Sequence, residues 1–141
     1  MNTKNALKLF VALNRTCSTL ANADQENIRH YGLSRSAFSV FELLYHKGPQ
    51  TVQDIGKKVL LTSGSMTYVV NKLVEKGFVH RNICESDRRV TYVGLTSSGT
   101  DFMKGIFPEH EQHIAKMFSA LSDEQMVMLT ETLQQISTSI K

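Results

Sequence analysis

The stretch from Ser63 to Lys76 does most to limit what this chain can become, because its apolar residues recur only at helical spacing. Met66, Val69, Val70, Leu73 and Val74 stand at i, i+3, i+4, i+7 and i+8, the signature of one buried helix face. The opposite face carries Ser65, Thr67, Tyr68, Asn71, Lys72, Glu75 and Lys76. Thr62 or Ser63 suits the N-cap, and Gly77 suits the left-handed residue just past the end. Donors and acceptors without a nucleophile–base pair fit a base edge or a phosphate better than a catalytic centre. The neighbours decide between that use and a merely solvated helix face.

Before it, residues 4 to about 31 give a long amphipathic helix ended by Gly32, with Leu7, Phe10, Val11, Leu13, Cys17, Leu20, Ala21 and Ile28 on its stripe. Ser34 caps a second helix (Ala37, Val40, Phe41, Leu44, Tyr45), which Gly48 and Pro49 close. Thr51 opens a short third helix with Val52, Ile55, Val59 and Leu60 buried. Two short helices, the second with a polar face, read as a helix-turn-helix. The period then changes. Phe78 to Cys84 and Val90 to Leu95 are rich in β-branched and aromatic residues, with Glu85-Ser86-Asp87-Arg88-Arg89 as a polar tip. The expected fold is mainly α with a small β-hairpin wing: a winged helix-turn-helix with long N- and C-terminal dimerisation helices. Thr96 caps the next helix, Pro108 should kink or interrupt it, and Ser122 with Gln125 forms a capping box for the last. The expected organisation is an N-terminal dimerisation helix (1–33), a DNA-binding lobe (34–99) and C-terminal dimerisation helices (100–141) in one continuous fold. Both end stripes lack a partner in so small a domain, which favours a two-fold dimer.

Charge sharpens the reading. Residues 57–89 hold seven Lys/Arg against three acids, a net of +4, while the rest carries nine bases and ten acids. The positive excess thus sits in the helix-turn-helix and wing, as expected of a polyanion-binding module. Two cysteines, Cys17 and Cys84, make no disulfide framework. With no secretory h-region and no apolar run of membrane length, a cytoplasmic protein is expected.

At Gly77-Phe78-Val79-His80-Arg81, Asp87-Arg88-Arg89 and Leu95-Thr96-Ser97-Ser98-Gly99 the chain resembles the MarR family of bacterial transcription regulators. The resemblance covers nearly the whole length. It implies a homodimer on pseudo-palindromic duplex DNA, released by a small molecule or by oxidation. Such a dimer holds its reading helices about 34–36 Å apart, one turn of duplex. Ser63, Ser65, Thr67, Tyr68, Asn71 and Lys72 would face the major groove or its phosphates, Asn71 being able to read adenine bidentately. Arg88 and Arg89 would reach the minor groove, with Asp87 orienting a neighbouring arginine as in the family pattern.

Effector sites are more open. Cys17 lies on the apolar stripe of the first helix, where a buried structural thiol is the common outcome. The position that aligns with the sensing cysteine of thiol-switch relatives is Phe10. Cys84, at the base of the wing, would be exposed, and Arg88 and Arg89 nearby would favour its thiolate and attack by an electrophile or oxidant. Phe10, Tyr31, Phe38 and Tyr45 would line a pocket for the aromatic effectors the family binds, or simply pack the core. His110 and His113 are three apart, not the spacing of a zincin, and could join Glu26, His30 or His46 as in zinc-responsive relatives; a solvated face is the plain alternative. No resident cofactor is expected. The leading expectation is a repressor, released by an aromatic or quinone-type effector or by thiol modification. A zinc-responsive regulator and a winged-helix protein-interaction module are the alternatives. An enzyme is not expected, since no nucleophile, base and orienting residue stand together.

Overall fold

The computed structural model describes residues 1–59 and 63–140; Leu60, Leu61, Thr62 and Lys141 and the Ser63 side chain lie outside it. The capping by Thr62 or Ser63, the burial of Leu60 and the DNA-facing role of Ser63 therefore fall outside the described residues. The elements run α1 (Thr3–Arg29), α2 (Arg35–Lys47), β1 (Gln50–Thr51), α3 (Val52–Val59), α4 (Ser63–Glu75), β2 (Val79–Ile83), β3 (Thr91–Leu95), α5 (Ser97–Met117) and α6 (Asp123–Ser139). They divide into two compact units, residues 1–108 and 109–141.

In the first unit the punctuation is local. Ser34 Oγ accepts from the Ala37 N–H at 3.1 Å, and Thr51 Oγ1 accepts from the Asp54 N–H at 3.1 Å, each satisfying a donor that a helix start leaves free. Gly32, Gly48 and Gly77 all have φ near +75°, a region that costs a side chain dearly; Gly48 caps α2 directly, and Gly32 and Gly77 stand in the turns that follow α1 and α4. The core gathers Ile28, Phe38 and Phe41 with Ile55, Met66, Val70, Leu73, Val93 and Met103. Phe41 meets Phe78 edge-on at 5.3 Å, and Phe78 stacks on Phe102 at 4.6 Å, which joins α2, the start of β2 and α5. Burying each such side chain contributes about 1.5–3 kcal/mol.

Thr96 and Gly99 make the joint between sheet and α5. Thr96 Oγ1 donates to the Gly77 carbonyl at 2.6 Å and accepts from the Gly99 N–H at 3.0 Å, while the Thr96 N–H donates to the Phe78 carbonyl at 3.0 Å. A Cβ on Gly99 would run into that same Phe78 carbonyl. The joint needs a hydroxyl at its first position and no side chain at its fourth.

Three features depart from expectation. The sheet has three strands, in the order β1-β3-β2, because Gln50 and Thr51 pair antiparallel with Val93 and Tyr92. Two residues after Pro49 are too few to show a period. Val74, expected in the buried stripe, is 37% exposed, standing in the last turn of α4, one residue before its end at Glu75. Finally, α5 runs without interruption through Pro108. Proline removes one intrahelical bond, and the helical turns on either side carry the chain across.

In the second unit, Ser122 and Gln125 form the expected capping box, at 2.9 and 3.2 Å. Among its described residues α6 buries none, and Val127, Met128, Leu129 and Leu133 stand exposed.

Candidate nucleic-acid interface

The α4 helix is anchored from below. Met66, Val69, Val70 and Leu73 are buried, so the residues between them are turned outward. Ser65, Thr67, Tyr68, Asn71 and Lys72 are all exposed. Lys72 lies 5.6 Å over the Tyr68 ring and 3.5 Å from Glu75, contacts that hold its ammonium along the helix surface. Asn71 is engaged from outside its own helix: Arg81 Nη2 donates to Asn71 Oδ1 at 2.6 Å. Arg81 is not among the residues that the sequence pattern assigns to this face. Its signal is the strand period, since Val79 and Arg81 share a face of β2 and Val79 is buried.

At the wing tip Asp87 grips Arg89 three times. Its Oδ1 accepts from the Arg89 backbone N–H and from Nε–H, both at 3.1 Å, and its Oδ2 accepts from Nη2–H at 3.2 Å. The Arg89 side chain, then its backbone N–H, holds the Asp87 carboxyl below its ordinary pKa. The arginine side chain remains 91% exposed, so the clamp fixes direction without burying charge. Arg88 is exposed beside it. Thr51, Val52, Gln53, Asp87, Arg89, Val90 and Thr91 line a cleft of about 590 Å³ between the start of α3 and the wing.

Cys84 is half-buried at the base of the wing, its sulfur 3.1 Å from the Ser86 hydroxyl. The Ser86 hydroxyl, followed by the backbone N–H groups of Asp87 and Ser86, lowers its thiol pKa, against burial and the Asp87 charge. Hydrogen bonds, rather than the expected arginines, favour this thiolate. Cys17, expected to be buried, is exposed, because α1 turns most of its N-terminal stripe outward.

The aromatic set is dispersed over several environments. Tyr31 and Phe38 stack at 6.4 Å, Tyr45 lies 5.8 Å from Phe107, and Phe10 is 67% exposed. His110 is buried and His113 half-buried, so the solvated face proposed for that pair is not what the fold provides. Among the described residues no three His, Cys, Asp or Glu side chains are placed to hold a metal ion. No described helix is long and apolar enough to cross a membrane.

A helix-turn-helix followed by a cation-tipped hairpin, flanked by long amphipathic helices, defines a winged helix-turn-helix regulator. Residues 33–91 match the model of the MarR family. The chain is 42% identical over 139 residues to the HTH-type transcriptional regulator MhqR of Bacillus subtilis, covering 99% of this chain and 96% of that one. Its fold is similar to Sco3205, a MarR family transcriptional regulator from Streptomyces coelicolor solved in complex with DNA, with a TM-score of 0.88 at 19% identity over 100% and 94% of the two chains. It is also similar to Bordetella bronchiseptica BpsR, whose DNA binding is regulated by 6-hydroxynicotinic acid, with a TM-score of 0.81 at 22% identity over 92% and 98%. The chain belongs to the MarR family of transcriptional regulators.

Proposed function

We propose that this regulator is a repressor that binds pseudo-palindromic duplex DNA as a homodimer and is released by a small aromatic or quinone-type compound, or by modification of Cys84. The observation that carries the reading is the pairing of two outward cationic elements on one lobe: the α4 face with Asn71 and Lys72, and the wing tip with Arg89 clamped by Asp87. The first matches a major groove and the second the adjacent minor groove or its phosphates. Support for the dimer comes from apolar surface. Leu7, Phe10 and Val11 on α1, and Met128 and Leu133 on α6, are exposed in the single chain, and a second copy covers such stripes at least cost. Effector release is supported by the similarity to BpsR, together with the Cys84 thiolate that Ser86 stabilises. An effector acts by favouring a spacing of the two reading heads that no longer matches one turn of duplex.

The test uses the full chain. Analytical ultracentrifugation should give a dimer, and selection from a randomised duplex library should enrich inverted repeats with half-sites about 10 base pairs apart. Hydroquinones and hydroxylated aromatic acids should then release the selected duplex. A monomer, or a library that enriches nothing, would defeat the proposal.

A further inference from the structure

The short bond between Arg81 and Asn71 changes what the exposed face of α4 can recognise. Asn71 alone offers one acceptor and two donors, the combination that matches the N7 and N6 amino group of adenine. Arg81 Nη2 donates to that acceptor, Oδ1, at 2.6 Å. Oδ1 keeps a second lone pair, yet a guanidinium this close repels the amino hydrogens that adenine would bring. The same cation attracts strongly negative acceptors. Both side chains are exposed, and the guanidinium has further N–H groups beyond the one bonded to Asn71.

The pairing is built into the fold. Val79 is buried, and Arg81, two residues along β2, projects from the same face of the strand toward α4. Pairing of Arg81 with Val93 of β3 holds the strand in that register. Asn71 follows Val70, which is fully buried, so its backbone is fixed by the core. Two elements ten residues apart in sequence thus place one cation on the outer face of the reading helix.

We propose that Arg81 contacts the duplex together with Asn71, and that the pair acts as a cationic set of donors, taking either a phosphate oxygen or the O6/N7 edge of guanine rather than adenine. This rests on the DNA-binding reading above. Guanidinium groups suit both acceptors through their forked donors.

The experiment measures affinity by fluorescence anisotropy for the duplex that the wild-type chain enriches from a randomised library, at several salt concentrations. Arg81→Ala is expected to weaken binding about tenfold or more. Arg81→Lys should recover part of that loss, because charge returns without the fork. Asn71→Ala combined with Arg81→Ala should cost little more than Arg81→Ala alone, the non-additivity of two groups acting as one. Unchanged thermal midpoints for these exposed positions would separate binding from folding. A salt slope shallower by about one, with equal loss on every sequence, identifies the phosphate. An unchanged slope, with lost preference for guanine at one position in a repeated selection, identifies the base. Binding within twofold of wild type for Arg81→Ala would overturn the role of Arg81 while leaving the DNA-binding reading intact. So would an adenine preference that disappears with Asn71→Ala but survives Arg81→Ala. If the wild-type chain enriches no duplex, both readings fall together.

Discussion

The α4 helix and the wing tip hold out their cations by different means. Beneath α4 lies a floor of side chains, with Met66 2% exposed and Val70 and Leu73 fully buried. The wing tip has none. Its geometry comes from bonds within a few residues: Asp87 to Arg89, the Val90 N–H to the Asp87 carbonyl at 3.0 Å, and the Cys84 N–H to the Val90 carbonyl at 2.9 Å. A helix set on the core is placed by the same energy that folds the lobe. A turn held by its own hydrogen bonds can be altered without the lobe taking notice. Damage to the first should therefore appear in stability, and damage to the second in binding alone.

Leu73→Ala tests the stronger half of this contrast. The side chain is fully buried, and its truncation leaves a cavity beneath the exposed face of α4. Loss of about 2–5 kcal/mol of unfolding free energy is expected from urea titration. A loss below about 1 kcal/mol would mean that the lobe collapses around the gap and that the floor does not fix α4. Next in size is Arg89→Ala at the wing. Its urea midpoint should match wild type, while affinity for a selected duplex falls about tenfold to a hundredfold. Should stability fall as well, the wing is part of the core after all, and the contrast fails.

How legible each region was follows from the same difference. The α4 stripe could be read because burial on a helix imposes a period, and Gly77 marked its end through a φ of +76°. The wing could be read because its chemistry is local: Asp87 reaches Arg89 two residues away. The strand period puts Arg81 on the face of Val79, but its partner Asn71 could not be read, since that contact depends on how β2 packs against α4, which a linear pattern does not specify. The same holds for β1, whose two residues become a strand only because Val93 and Tyr92 lie beside them. At the ends, amphipathicity was visible, but which residues face solvent was not. Cys17 looked interior on a helical stripe and is exposed, because a stripe states what could be buried and a partner surface decides what is. His110 failed the opposite way: it sits among charged neighbours in sequence and is buried in the fold.

A smaller effect is expected from Asp87→Asn, which keeps the shape of the clamp and removes its charge. Affinity should drop only a few-fold, since an exposed ion pair directs the arginine more than it stabilises it. The pH dependence follows from sign. The Asp87 carboxyl in the folded chain is held below its ordinary value by Arg89, so the pair contributes fully above the unfolded value of about 3.9 and is lost as pH falls through the lower folded value. Between about pH 6 and 8 the clamp should stay charged, and Asp87→Asn should weaken binding equally across that range. A ratio of wild-type to variant affinity that changes with pH there would show that another titrating group governs the wing.

The smallest effect concerns the thiol at the base of the same turn. Ser86 is the leading cause of the lowered Cys84 pKa, with its hydroxyl 3.1 Å from the sulfur. Removing the hydroxyl in Ser86→Ala leaves the backbone N–H groups of Asp87 and Ser86 to stabilise the thiolate, so its fraction at neutral pH should fall without vanishing. Alkylation of Cys84 by iodoacetamide, followed by peptide mass spectrometry, should slow by about two- to fivefold, because nucleophilicity rises somewhat as the pKa rises and offsets part of the loss. The pH midpoint of the reaction should move upward with it. DNA affinity before alkylation should stay within twofold of wild type, since the Ser86 hydroxyl bonds the Cys84 sulfur while it is Asp87 that holds Arg89. An unchanged rate would assign the thiolate to the backbone alone. A large fall in affinity would show that this turn carries the arginines' geometry through Ser86 as well as through Asp87, and the wing would then be less independent than its hydrogen bonds suggest.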